Sequence, residues 1–164
     1  MNLQFYLEKL QNYEDFKKFK KENSKAYLSS VFVSIDKGKN QNEVHFDFFL
    51  PEKKEIVSFQ MNEEIKKVPL ENFGLVSPEK ISGTDLDFGK IESLISEKME
   101  KENIKSKIQK IILSLQNYKG KETLSGTVFI SMMGMIKISL DLNEMKILDF
   151  EKKSIMDLIK IMKK

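Results

Sequence analysis

Cysteine and tryptophan are absent from this chain of 164 residues, histidine occurs once, at His45, and arginine does not occur, so all 28 basic residues are lysine. Each absence removes a chemistry. Disulfide frameworks and thiolate zinc sites need cysteine, multi-histidine metal sites need more than one histidine, and forked readout of phosphate or guanine is mainly the work of arginine. The seven glycines are too scattered to cradle a phosphate, and no Gly-x-Ser-x-Gly elbow occurs. No apolar run approaches the roughly 18 residues of a membrane span, and residues 1–9 are interrupted by charge before a signal-peptide core can form. The expectation is a cytoplasmic protein without metal or cofactor, and the missing motifs argue against most enzyme classes.

What is present describes a folded protein. At 40% hydrophobic and 32% charged residues the chain lies far from the composition of disordered proteins. The formal charge is 28 − 25 = +3, too small to announce nucleic acid or a membrane as partner. Leu3, Tyr6, Leu7, Leu10, Tyr13, Phe16 and Phe19 recur at helical spacing and predict one amphipathic helix over 2–22. The period then changes to two, predicting strands over 27–35, 43–50, 55–61 and 65–70, the last an edge because Pro69 cannot donate to a ladder. Residues 71–84 read as a connection. From 85 the pattern begins again, with a helix through Leu86, Ile91, Leu94, Ile95 and Met99 that Thr84 or Asp85 can cap. Strands follow at 108–115, 124–132, 135–142 and 145–150, then a closing helix over 152–163.

The expected fold class is therefore α+β: two α-β-β-β-β units, at 1–70 and 85–150, with antiparallel sheets, helices on one side and a C-terminal helix at 151–164. Residues 136–148, Ile-Lys-Ile-Ser-Leu-Asp-Leu-Asn-Glu-Met-Lys-Ile-Leu, resemble the final hairpin of PepSY-like (cystatin-like) repeats, in which a strand ending in Asp turns into a strand of the Lys-Ile-Leu kind. The resemblance covers 85–150 well and 2–70 loosely, and it implies a non-catalytic binding or inhibitory module. The whole chain is also similar to uncharacterised small archaeal proteins.

Three features are candidates for function. Glu43, His45 and Asp47 alternate along one strand face, putting an imidazole between two carboxylates about 7 Å from each. That arrangement suits general acid–base work, although a solvated face with lysine partners reads the same way. Met132, Met133 and Met135 surround Gly134 at what should be a hairpin tip, where polar residues are the norm. Such a tip is expected to tuck against the rest of the protein; left exposed, it would be a docking point for varied apolar partners. Third, Val44, Phe46, Phe48 and Leu50 should face the helices, while Leu28, Phe32, Phe49 and Ile56 put bulk on the second sheet face. Either the two units pack sheet to sheet, the favoured arrangement, or that face is an apolar groove for a protein, a small apolar ligand or a second copy. Weak binding of RNA or an anionic surface through Lys152, Lys153, Lys160, Lys163 and Lys164 is an alternative, and an enzyme built on His45 a further one.

Overall fold

The computed structural model describes residues 1–71 and 77–154. Two short helices, α1 (Leu3–Gln11) and α2 (Glu14–Glu22), precede strands β1 (Tyr27–Asp36), β2 (Gln41–Leu50), β3 (Glu55–Met61) and β4 (Ile65–Leu70). A longer helix, α3 (Phe88–Lys101), precedes β5 (Ile108–Tyr118), β6 (Lys121–Ile130), β7 (Gly134–Asp141) and β8 (Lys146–Ser154). All eight strands belong to one antiparallel sheet in the order β4-β3-β2-β1-β5-β6-β7-β8, so two meanders meet along β1 and β5.

Sheet-to-sheet packing is thus replaced by edge-to-edge pairing, and the register explains why. Val31 and Val33 of β1 lie opposite Leu115 and Leu113 of β5, and Ile35 lies opposite Ile111, which continues one apolar stripe across the seam. The three helices of the described residues cover that stripe with Leu3, Leu10, Phe16, Phe19, Ile91 and Ile95, all buried. On the other face the same strands present Ser30, Ser34 and Ser114 beside Phe32 and Ile112, a mixed surface that does not demand a second sheet.

The single predicted helix over 2–22 is broken at Asn12 and Tyr13. Asn12 caps α1, its backbone N–H bonding to Glu8 O, and Glu14 and Asp15 open α2 where acidic side chains meet the positive end of the helix dipole. Helix α3 is capped by Asp87, whose Oδ1 accepts from Gly89 N at 2.9 Å, rather than by Thr84 or Asp85. Asn2 caps α1 in the same way, and an isolated bridge between Asn2 and Asp87 ties the two helix starts together.

The closing helix is also revised. Residues 151–154, assigned to it from the sequence, continue β8, paired with Gly134 and its successors; the remainder of that prediction, 155–164, lies outside the described residues, as do 72–76 of the connection.

Candidate functional site

The sheet's uncovered face holds the first two candidate clusters. Register places Phe32 beside His45 on one side and Ser114 on the other, and the row continues through Ser125 and Ser139 to Asp149. Ser139 Oγ donates to Asp149 Oδ2 at 2.7 Å. The bulk expected of Phe32, Phe49 and Ile56 lies in the first meander, while Ile112, Phe129 and Met135 put partly buried apolar side chains on the same face of the second. A bulge between Leu28 and Ser30 turns Leu28 to the helix side, opposite Phe48, which corrects its assignment to the second face. Phe49 is 1% exposed, beneath Tyr27 at a ring separation of 5.6 Å, while Phe32 and Ile56 are half-buried.

Within the acidic cluster the two carboxylates do different things. Glu43 Oε1 is 2.7 Å from His45 Nε2, and the imidazole stacks on Phe32 with ring centroids 5.0 Å apart. Asp47 instead accepts from Ser30 Oγ at 2.7 Å and does not engage His45. No group of three metal-ligating side chains occurs among the described residues. Glu43 lines a polar recess at the β1–β2 and β3–β4 turns, whose lining does not include His45.

The methionine tip is exposed rather than tucked. Met132 is 92% and Met133 58% exposed, whereas Met135 is half-buried on the strand opposite Phe129. Both tip methionines adopt left-handed backbone angles, φ 65° and 55°, as a tight hairpin connection demands. The tip is fastened to the start of β5 by Ser131 N donating to Lys107 O at 2.9 Å and Lys107 N donating to Ser131 Oγ at 3.1 Å.

A further site was not anticipated. Between α1, α2 and the sheet end carrying Leu28 and Phe48 lies a cleft of about 790 Å³. Its apolar lining is Leu7, Phe16, Leu28, Phe48 and Ile81; Lys17, Lys18, Lys20 and Lys21 of α2 stand around it, with Glu14 the one carboxylate. Lys17 is paired with Glu14 at 2.7 Å and Lys18 approaches Asp15 at 3.8 Å. Lys20 Nζ donates to Ala26 O at 2.7 Å, and burial, with the nearby Lys80, holds its pKa below the usual lysine value. Among the described residues Lys21 has no ion-pair partner.

The wall formed by Ile81 and Ser82 is held by two carboxylates of opposite origin. Glu79 of the connection accepts from Lys119 N and Gly120 N at 2.8 Å each, closing the β5–β6 turn. Glu122 of β6 accepts from Ser82 N at 2.6 Å and from Gly83 N at 3.1 Å. Charge-assisted bonds to backbone N–H groups are among the stronger ones, so residues 79–83 form a structural wall. The sequence signal for the cleft was the pair of acids at 14–15 followed by lysines at 20–21, which marks a separate short helix.

No family model matches the chain, and no curated protein matches it. Among solved structures, the crystal structure of a lipoprotein candidate from Clostridium difficile 630 is similar, with a TM-score of 0.48 and 12% identity, over 85% of this chain and 91% of that chain. At that score the similarity carries no functional implication.

Proposed function

We propose that this protein is a non-catalytic ligand-binding module whose α1–α2 cleft takes a small amphipathic anion, a medium-chain carboxylate being the simplest example. The observation that carries the reading is the composition of the cleft: five apolar side chains on its floor and walls, and four lysines against one glutamate around them, 4 − 1 = +3. An alkyl chain would cover the apolar floor, gaining from each methylene removed from water, while the carboxylate would meet Lys21 at the rim. Lys20, whose ammonium is disfavoured by burial, is a second group that an anion would relieve. The fold behind the cleft is read as two α-β4 units of PepSY-like kind, supported by the helix-then-four-strands order on either side of the β1–β5 seam.

Isothermal titration with dodecanoate, dodecanol and acetate tests the proposal. Dodecanoate is expected to bind more tightly than either the neutral alcohol or the short acid, and the Lys18→Glu/Lys21→Glu variant to weaken it by about tenfold or more, a factor worth about 1.4 kcal/mol. Equal affinity for dodecanol, or unchanged binding by the variant, would overturn it.

A further inference from the structure

The cleft opens at the sheet end where β1 begins; the methionine tip stands at the opposite end, where β1 finishes and β5 starts. Three segments converge there: 105–108, 130–135 and 152–154, the last paired with the start of β7. Together they carry Lys105, Lys107, Lys152 and Lys153 and no acidic residue. Lys153 is 3.3 Å from Glu151, one residue before the last segment, while among the described residues Lys105 and Lys107 have no ion-pair partner. Glu92 and Glu100 of α3 line the neighbouring recess, where Glu92 is engaged by Lys37 at 2.8 Å.

We infer that this end of the sheet docks onto an anionic lipid surface, with Met132 and Met133 entering the headgroup region and the lysines meeting lipid phosphates. The inference goes beyond the cleft and does not depend on it. Left-handed backbone is disfavoured for a side chain such as methionine, and Asn or Gly would relieve the strain at no cost to the hairpin. Two consecutive methionines held there, 92% and 58% exposed, are kept pointing at solvent by a turn pinned at Ser131. A protein partner is the less suitable occupant. Two side chains on a narrow tip offer far less than the roughly 800 Å² per partner of a stable protein interface. A bilayer asks only for shallow apolar insertion, and lysines around the tip add attraction to anionic headgroups.

Flotation of the full chain with vesicles tests this, comparing pure phosphatidylcholine with phosphatidylcholine carrying one quarter phosphatidylglycerol. The protein is expected to float with the anionic vesicles only and to be released by salt. Met132→Asp/Met133→Asp should reduce the partition about tenfold with an unchanged circular dichroism spectrum, and Met132→Leu/Met133→Leu should retain it. Lys18→Glu/Lys21→Glu, the cleft variant, should partition as the wild type does, which separates this inference from the ligand proposal. Absence of flotation, or equal flotation by the aspartate variant, would overturn it. So would retention of a poly(U) oligonucleotide without vesicle binding, which would assign the lysines to nucleic acid instead.

Discussion

The two meanders share a sheet but fill their halves of the core differently. Nine of the twelve phenylalanines precede residue 83. Under α1 and α2, Phe16, Phe19, Phe48 and Phe59 pack ring against ring, with Phe59 5.0 Å from Phe16 and 5.1 Å from Phe19 at steep angles. Under α3, apart from Phe88 at its start, the interior is aliphatic: Ile91, Ile95 and Met99 from the helix, with Leu113, Leu124, Val128, Ile136 and Ile138 from the sheet. One uninterrupted helix of 14 residues suits the aliphatic layer, whose small side chains interdigitate along its length. The ring layer is served by two helices of 9 residues, the second turned so that Phe16 and Phe19 meet Phe59 of the sheet edge-on. Large rigid rings leave gaps that branched aliphatics would fill, and the cleft with the apolar floor opens in the ring-filled half, against Phe16 and Phe48.

The largest expected effects come from truncating one layer or the other. Phe59→Ala should cost about 3–5 kcal/mol and Ile138→Ala about 2–5 kcal/mol, read from urea unfolding. Because the apolar stripe is continuous across β1 and β5, both variants should unfold in a single transition, with circular dichroism and tyrosine fluorescence coinciding. Two transitions in Phe59→Ala would break the comparison and make the halves separate folding units.

A smaller effect is expected at Gly126, on the helix-facing side of β6. A Cβ there would lie 1.9 Å from the Ile112 carbonyl oxygen, so Gly126→Ala should lose about 1–3 kcal/mol as the strands shift apart. Nothing in the ring-filled half forces such an approach between described strands, since its sheet residues there all carry side chains.

The smallest effect depends on pH. After β3 the turn is closed by Asn62, whose Oδ1 accepts from Glu64 N; after β7 the same job falls to Asp141, whose Oδ1 accepts from Asn143 N and Glu144 N while Lys121 lies 2.8 Å from its Oδ2. The Lys121 contact, then the backbone donors, hold the Asp141 pKa below the usual carboxylate value. A carboxyl depressed on folding stabilises above its unfolded pKa, near 3.9, and the benefit is lost as pH falls through the folded value. Asp141→Asn should therefore lower the urea midpoint at neutral pH, with the gap to wild type closing below about pH 4. A gap that persists at low pH would show that the carboxylate charge is not what matters in this turn.

Much of this comparison was legible in the sequence. Strand existence came from the alternation of Val31, Val33 and Ile35 or Ile136, Ile138 and Leu140, because a half-buried antiparallel sheet writes its burial directly into a period of two, but the joining of both halves in one sheet along β1 and β5 did not. The methionine tip was legible as a place but not as exposed, since Met132 and Met133 are as suited to a core as to a surface. Three features were hidden for physical reasons. The break at Asn12 and Tyr13 keeps the helical spacing of Leu10, Tyr13 and Phe16, so periodicity runs straight through it. The bulge at Leu28 and Ser30 shifts the face of every residue before it, which no alternation rule anticipates. The far wall of the cleft depends on Ile81 and on the Glu79 and Glu122 contacts, pairings some forty residues apart that leave no local trace.

The seam between β1 and β5 also bears on how the chain emerges from the ribosome. Its pairs run from Asp36 with Lys110 to Ser30 with Gln116, separations of 110 − 36 = 74 and 116 − 30 = 86 residues. At about 5–20 residues per second, the β1 edge waits on the order of 4–17 s for its partner strand to be synthesised. The finished sheet guards its outer strands with Lys66, Lys67 and Pro69 on one side and Glu151, Lys152 and Lys153 on the other, but Val31, Phe32 and Val33 carry no such guard. During translation the strand that ends at the centre of the molecule is its most adhesive surface, and neighbouring nascent chains on one message present the same edge to each other.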